Sequence, residues 1–157
     1  MKIRSATRTD VAALVTLNDD IQRQHAEAYP DDFFYPADPD EVAKFFDGLL
    51  GRQDNEILLA EADGGEACAY LWYEVRRSGG NPFKKPINQL FVHHLFVVRE
   101  WRRRGVGRSL LEHVRSIAQA EGTAEIALDT WAANASALSF FADEGFQTFR
   151  VFMRLPV

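Results

Sequence analysis

The sequence predicts a mixed α/β domain, one sheet with helices on both of its faces. Three observations predict it. The chain has 157 residues, 46% hydrophobic and 26% charged, enough apolar material for a substantial core. Strand and helix periodicities follow one another in the order β-α-α-β-β-β-α-β-α-β. Segment 88–98 is apolar on both of its alternating faces, the pattern of a strand in the middle of a sheet.

Residues 2–4 are a short extended start. Thr9 and Asp10 then cap a helix in which Val11, Leu14, Val15, Leu17 and Ile21 recur at helical spacing. Between 29 and 39 three prolines and several aspartates break any period, so a loop follows. Asp40 caps a second helix with Val42, Phe45, Phe46, Leu49 and Leu50 on its apolar face, closed by Gly51. Segments 56–62 and 67–76 are strand-like and flank Asp63-Gly64-Gly65, a tight hairpin turn.

A polar Gly/Pro connector, 78–86, leads into the central strand. There Phe91, Leu95 and Val97 alternate with Leu90, Val92, Phe96 and Val98, and His93 and His94 are expected on opposite faces. A third helix begins near Gly105, carries Leu110, Leu111, Val114, Ile117 and Ala118 on one stripe, and stops at Gly122. Residues 125–130 read as another strand and 134–144 as a short helix between Asn134 and Gly145. Residues 146–155 alternate as a final strand. No repeat, low-complexity run or linker divides the chain, so residues 1–157 are expected to form one domain.

Charge and composition exclude several function classes. Lys and Arg total 18 against 23 Asp and Glu, a net charge of −5, which disfavours a nucleic-acid partner or an anionic membrane surface. No stretch approaches the ~18 apolar residues of a membrane span, and residues 1–8 lack the apolar run of a signal peptide. The single cysteine, Cys68, can form no internal disulfide and reads as a small core residue. A soluble, cytoplasmic protein is the expectation.

The chemistry concentrates after the central strand. Five of the 18 basic residues (Arg99, Arg102, Arg103, Arg104 and Arg108) fall within ten positions, and Gly105-Val106-Gly107 opens the amphipathic helix. The first-turn amides of a helix have no intrahelical partners, and the helix dipole adds partial positive charge there. Glycines remove the Cβ atoms that would hold an anion off the backbone, so this turn is a phosphate seat. It is not a Walker loop, since no Gly-Lys-Ser/Thr occurs. Nor is it a dinucleotide fingerprint, since the third glycine is missing and six residues separate strand from first glycine.

Arg102-x-x-Gly105-x-Gly107 after Leu95-x-Val97 resembles the acetyl-CoA pyrophosphate loop of the GNAT superfamily of N-acyltransferases. Asn134-x-x-Ala137-x-x-Phe140-Phe141-x-x-x-Gly145-Phe146 resembles that family's second cofactor motif, and Ile3-Arg4-x-Ala6-x-x-x-Asp10 its opening strand and helix. The resemblance implies a mixed, mostly antiparallel sheet in which two neighbouring central strands splay apart and admit the pantetheine arm. It further implies acetyl-CoA as co-substrate, held by Leu95, Phe96 and Val97 along the arm and thioester. Arg102, Arg103, Arg104, Gly105, Val106, Gly107 and Arg108 would hold the pyrophosphate, and Asn134, Ala137, Phe140 and Phe141 would lie on the second motif. Some members pair as homodimers. A metal is not required by this chemistry, and neither is a covalent enzyme intermediate.

Acid and base are less plain. Phe141 occupies the position where many members carry a proton-donating tyrosine; Tyr70, Tyr73 or water could substitute. A general base is needed because an alkyl amine arrives protonated at neutral pH. His93, two residues before Leu95, is the first candidate, with Glu74 on the preceding strand as runner-up; a core role for both histidines and a local cap at Asp129 are the plain alternatives. Segment 19–41 holds eight acids against Arg23 alone, which suits a cationic amine acceptor or a solvated acidic face. The resulting expectation is direct acetyl transfer from acetyl-CoA to a primary amine. The alternatives are an acyl-CoA sensor on the same scaffold and a nucleotide-binding module.

Overall fold

Asp63, Gly64 and Gly65 turn the chain back on itself, with Gly65 in the left-handed region at φ +84°. β2 (Asn55–Glu61) therefore pairs antiparallel with β3 (Ala67–Ser78), as the hairpin signature predicts. β3 pairs antiparallel with β4 (Ile87–Val97), and β1 (Lys2–Ser5) closes one edge against β2. α3 (Val106–Ala120) then carries the chain back across the sheet, so β5 (Glu125–Leu128) runs parallel to β4 and forms the other edge. The computed structural model describes residues 1–155, and within them the sheet order is β1-β2-β3-β4-β5.

Each face of the sheet has its own core, because alternate side chains of a strand point to opposite sides. Leu71 and Tyr73 of β3 join Leu110, Leu111 and Val114 of α3 and, from α4 (Ala135–Asp143), Phe140 and Phe141. Tyr70 and Trp72 join Leu14 and Leu17 of α1 (Val11–Ala28) and Phe46 and Leu49 of α2 (Pro39–Leu50). Small boundary differences have local causes. Asp38, not Asp40, caps α2, accepting the Asp40 N–H at 2.9 Å, and Pro39 suits the first helical turn. β5 ends at Leu128 rather than 130.

Two sequence expectations are corrected. His94 lies opposite Trp72 while Val92 lies opposite Tyr73, so His93 is an extra residue, a β-bulge. The bulge breaks the two-residue period, and His93 and His94 consequently share the α1–α2 face: Trp72 stacks on His93 at 4.0 Å and meets His94 edge-on at 5.1 Å. The second correction concerns 146–155, which is no strand of this sheet. Phe146 packs on the α3 core, but beyond it the chain runs exposed without strand pairing, because alternation makes a strand only where a neighbouring edge accepts its backbone.

Arg4 of β1 ties the sheet edge to the start of α1. It donates to both carboxylate oxygens of Asp10 at 2.8 Å and to Glu61 on β2 at 2.8 Å, and Asp10 also accepts the Thr7 N–H at 2.7 Å. The Arg4 hydrogen bonds hold the Asp10 carboxyl well below the usual carboxylate range, against an opposing push from burial. A depressed folded pKa stabilises the protein above the unfolded value, about 3.9, and the contribution is lost as pH falls through the folded one. The stability gap between wild type and Asp10→Asn in urea unfolding is expected to be largest near neutrality and to narrow below about pH 4. A gap that stays constant into strong acid would exclude this origin.

Candidate active site

β4 ends at Val97, and a short 3-10 turn, Arg99–Trp101, delivers the arginine run. Arg102 Nε donates to the Val97 carbonyl at 2.8 Å and pins this loop to the strand end. Arg103 (φ 60°) and Gly105 (φ 83°) both adopt left-handed conformations, a backbone geometry that suits turning amides toward an anion. Ser109 N–H bonds Gly105 O at 2.9 Å as the first full helical turn of α3, so the amides of Val106, Gly107 and Arg108 precede any i−4 partner.

The two glycines do different work. Around Gly105 nothing lies within 4 Å of a would-be Cβ, so its requirement is conformational. At Gly107 a Cβ would stand 3.2 Å from the Phe140 ring and 3.7 Å from Leu95, so any side chain there would push the Phe140 ring aside by a few tenths of an ångström. Asn134 caps α4, accepting the Ala137 N–H at 3.1 Å. Phe141 turns inward on Phe146 (centroids 5.6 Å apart), leaving Phe140 as the ring against Gly107.

The arginines also separate. Arg108 donates to Glu144 at 2.7 Å, and Arg115 donates to the Glu144 carbonyl at 2.8 Å, so Arg108 braces α3 against the end of α4. The Glu144 side chain is only 5% exposed, and Arg108 holds its carboxyl below the ordinary range. Glu144 was not singled out by sequence, where it reads as an ordinary helix-end residue. Arg103 and Arg104 are exposed and enter no ion pair among the described residues; the Arg104 guanidinium lies 5.3 Å from the Trp101 ring centre.

Strand pairing explains how a ligand can reach past this turn. β5 pairs with β4 only from Gln89 to Val92. From the bulge onward β4 has β3 as its sole strand neighbour among the described residues, so its other edge, through Leu95, Phe96 and Val97, is open beside the α3 N-terminus. This is the splay expected from the motifs.

On the α1–α2 face His93 Nε2 lies 2.9 Å from Glu74 Oε2, and Arg76 Nε donates to the same carboxylate at 2.9 Å. Burial raises the Glu74 pKa, but the His93 and Arg76 hydrogen bonds outweigh it and the net shift is downward. His94 lies deeper. Its Nδ1 is 2.9 Å from the Tyr70 hydroxyl, which itself donates to Asn18 Oδ1 at 3.1 Å, so His94 is the Nδ1–H tautomer. Burial, with lesser contributions from His25 and His93, pushes His94 down to about 4. Tyr73 is not brought to this group: it lies in the α3 layer, its hydroxyl on Glu56 of β2.

Above this face the loop after α1 meets the segment after β5. Tyr29, Phe33 and Trp131 pack together (Tyr29–Trp131 4.6 Å, Phe33–Trp131 5.0 Å), and the Ala133 N–H donates to Tyr29 Oη at 3.0 Å. Beside them a cavity of about 190 Å³ is lined by Gln24, His25, Tyr29, Trp131 and Asn134 among others. Trp131 and His25 carry no sequence motif; only the fold brings them together.

A helix N-terminus with unpartnered amides, an adjacent open strand edge and a β4 histidine paired with a β3 carboxylate are chemistry that suits group transfer. The model of the acetyltransferase (GNAT) family matches residues 17–146. The chain belongs to that family. An uncharacterized N-acetyltransferase of Archaeoglobus fulgidus is 30% identical over 118 residues, 71% of this chain and 69% of that protein. An aminoglycoside N(6')-acetyltransferase type 1 of Klebsiella aerogenes is 30% identical over 106 residues, 68% of each. The crystal structure of a tetramutant of the BH1408 protein of Bacillus halodurans superimposes with a TM-score of 0.92 at 22% identity, covering all of both chains. The protein is thus an N-acetyltransferase of the GNAT family, whose members use acetyl-CoA. The donor set suits that molecule: unpaired amides and two unpaired arginines for a diphosphate, and an open strand edge for an amide-bearing arm. Among the described residues no helix is long and apolar enough to cross a membrane.

Gly105→Ala is expected to cost about 1–2 kcal/mol, the strain of a left-handed alanine. No clash adds to it, since the space around the position is empty. Urea unfolding with an unchanged m-value reads this directly; a loss within error of zero would show that the turn relaxes out of its left-handed form.

Proposed function

We propose that the protein transfers an acetyl group directly from acetyl-CoA to a primary amine, with a cationic small molecule as the acceptor class. The observation that carries this reading is the parting of β4 from β5 immediately beside the unpaired amides of α3. The amides of Val106, Gly107 and Arg108, with Arg103 and Arg104, hold the pyrophosphate. The arm follows Leu95, Phe96 and Val97, and Asn134, Ala137 and Phe140 wall its far side.

Acetyl-CoA supplies an activated thioester, and the chain supplies position, a backbone donor and a base. A fixed N–H on the carbonyl oxygen lowers the barrier by about 3–4 kcal/mol, and holding both reactants side by side lowers it further. His93 takes one proton from the arriving ammonium and frees its lone pair, the nitrogen attacks the carbonyl carbon, and the C–S bond breaks to release thiolate while the second nitrogen proton leaves to solvent as the amide forms. Glu74 stabilises the imidazolium that forms. His94, neutral but weakly basic with a pKa near 4, is the poorer acceptor. Position 141 is phenylalanine, so the thiolate takes its proton from solvent; a thiol of pKa near 8.5 leaves tolerably as the anion.

The acceptor enters from the α1–α2 side, past the aromatic cluster of Tyr29, Phe33 and Trp131. The eight carboxylates of segment 19–41 favour a cation there. The aminoglycoside acetyltransferase of similar sequence supports an aminoglycoside-like acceptor.

Thiol release with acetyl-CoA across a panel of amines tests the reaction. Amine-dependent release is expected; tight coenzyme A binding without it would identify a sensor instead, and protection by ATP but not coenzyme A a nucleotide module. Gly105→Glu places bulk and negative charge in the diphosphate seat and is expected to abolish coenzyme A binding. His93→Ala should lower kcat at neutral pH by about 10²–10⁴-fold and remove the limb of the pH–rate profile that it governs. An unaltered profile removes His93 from the base role.

A further inference from the structure

His94 is tethered through one ring nitrogen and leaves the other free. The Tyr70 hydroxyl donates to Asn18 Oδ1 at 3.1 Å and accepts from His94 Nδ1–H at 2.9 Å. Tyr70 and Asn18 are both buried, so the imidazole cannot swing away without breaking hydrogen bonds that water would not replace. Trp72 meets the ring edge-on at 5.1 Å and closes a second side. With the hydrogen on Nδ1, Nε2 carries a lone pair. Nε2 has no hydrogen-bond partner among the described residues, yet it is not sealed off. Among those residues Asn88 Oδ1 is the one fully buried side-chain nitrogen or oxygen without a partner. The lone pair of His94 therefore reaches space that a ligand can enter.

Its surroundings select the ligand. His94 shares the Trp72 ring with His93, the proposed base, and it also feels the charge of His25, which lines the 190 Å³ cavity beside Trp131. The ring thus neighbours both the reacting centre and a wall of that cavity. Burial, then His25 and His93, keep it neutral where an imidazolium would repel a cation. A fixed imidazole nitrogen that accepts a hydrogen bond but takes up protons poorly suits an ammonium that is to be held rather than deprotonated. A hydroxyl would also satisfy Nε2, but it would gain nothing from the carboxylates of segment 19–41.

We propose that His94 Nε2 accepts a hydrogen bond from a second, non-reacting ammonium group of the acceptor, so that the enzyme selects acceptors carrying at least two amino groups. The inference rests on the reading of His93 as base toward an amine and adds the specificity of that same site. His94 holds one nitrogen of the acceptor while His93 deprotonates the other.

Thiol release from acetyl-CoA with 1,4-diaminobutane, 4-amino-1-butanol and butylamine tests this. Wild type should favour the diamine over both monoamines by about tenfold or more in kcat/KM, as a hydrogen bond to a charged group implies, with most of the advantage in KM. His94→Asn keeps an amide N–H on the Nδ1 side for Tyr70 and places nothing at Nε2, so the diamine advantage should vanish. His94→Gln reaches the Nε2 position with an amide oxygen and should retain it. Each comparison is a ratio of two substrates on one variant, so a lower yield of folded protein does not enter it. A purely structural tether predicts the reverse, an advantage kept in His94→Asn and lost in His94→Gln, and that pattern overturns the proposal. Equal use of the amino alcohol and the diamine by wild type overturns it too. Butylamine-dependent release tests the reaction separately: where it occurs without a diamine preference, the role of His94 falls and the transfer reaction stands. If no amine is turned over, the transfer reading falls, and calorimetric titration of the coenzyme A complex with diamine and butylamine decides the docking point, equal affinities overturning it.

Discussion

One extra residue in β4 sets the geometry of the whole site. At His93 the strand advances two positions while β3 advances one, and two consequences follow from that single slip. Leu95 and Val97 turn onto the α3 layer, where Leu95 meets Gly107 and Phe140. Phe96 joins both histidines on the opposite layer. Pairing with β5 has already ended at Val92, so the strand's edge is open where the first amides of α3 stand. In a regular ladder Leu95 would face the α1–α2 layer instead, and its contact with Gly107 would be lost. Bulges bend strands and raise local twist, and this one follows directly on the last β4–β5 pair, Val92 with Leu128.

A strand end aimed at a helix N-terminus is useful only if the helix stays put. Glu144 performs that anchoring from the far end of α4, bonding both Arg108 and Arg115 of α3. Exposed ion pairs contribute little, but this carboxylate is covered by the two arginines it binds, so it holds both in place on α3. Local strain sits in the same turn: Arg103 holds a left-handed backbone that its side chain disfavours. The braced helix and the strained turn together present the amides in a fixed array before any ligand arrives, which is where preorganised binding draws its advantage.

What the sequence discloses is what lies close together along it. The phosphate turn is written in fourteen consecutive residues, so its helix, glycines and arginines were all legible, as was the Asn134 cap. Arg108 reads as one more cation of the cluster because its partner lies 36 residues downstream. The bulge has no glycine or proline to announce it; His93-His94 looks like regular alternation, which would place the two rings on opposite faces. Tyr73 reads, with Tyr70 or water, as a substitute for the hydroxyl missing at Phe141, yet adjacent strand residues face opposite layers, and its hydroxyl is spent on Glu56. The last strand fails for a different reason: periodicity reports which side of a strand is apolar, never whether an edge exists to receive it.

The division of labour between the two histidines follows from depth rather than identity. Both are imidazoles on one face of one strand, separated by a single peptide. His94 is enclosed, its Nδ1–H committed to Tyr70, and burial disfavours a charge there. His93 keeps partial access to solvent and has a carboxylate at 2.9 Å to receive any charge that develops. Two imidazolium ions side by side would repel one another and any cationic acceptor, so a neutral His94 keeps the wall beside the amine free of competing positive charge. Glu74 and Arg76 cancel each other on that wall, leaving the carboxylates of the α1–α2 segment to set the sign of the approach field. In the proposed reaction the amine therefore meets one available base, already paired with the group that steadies its protonated form.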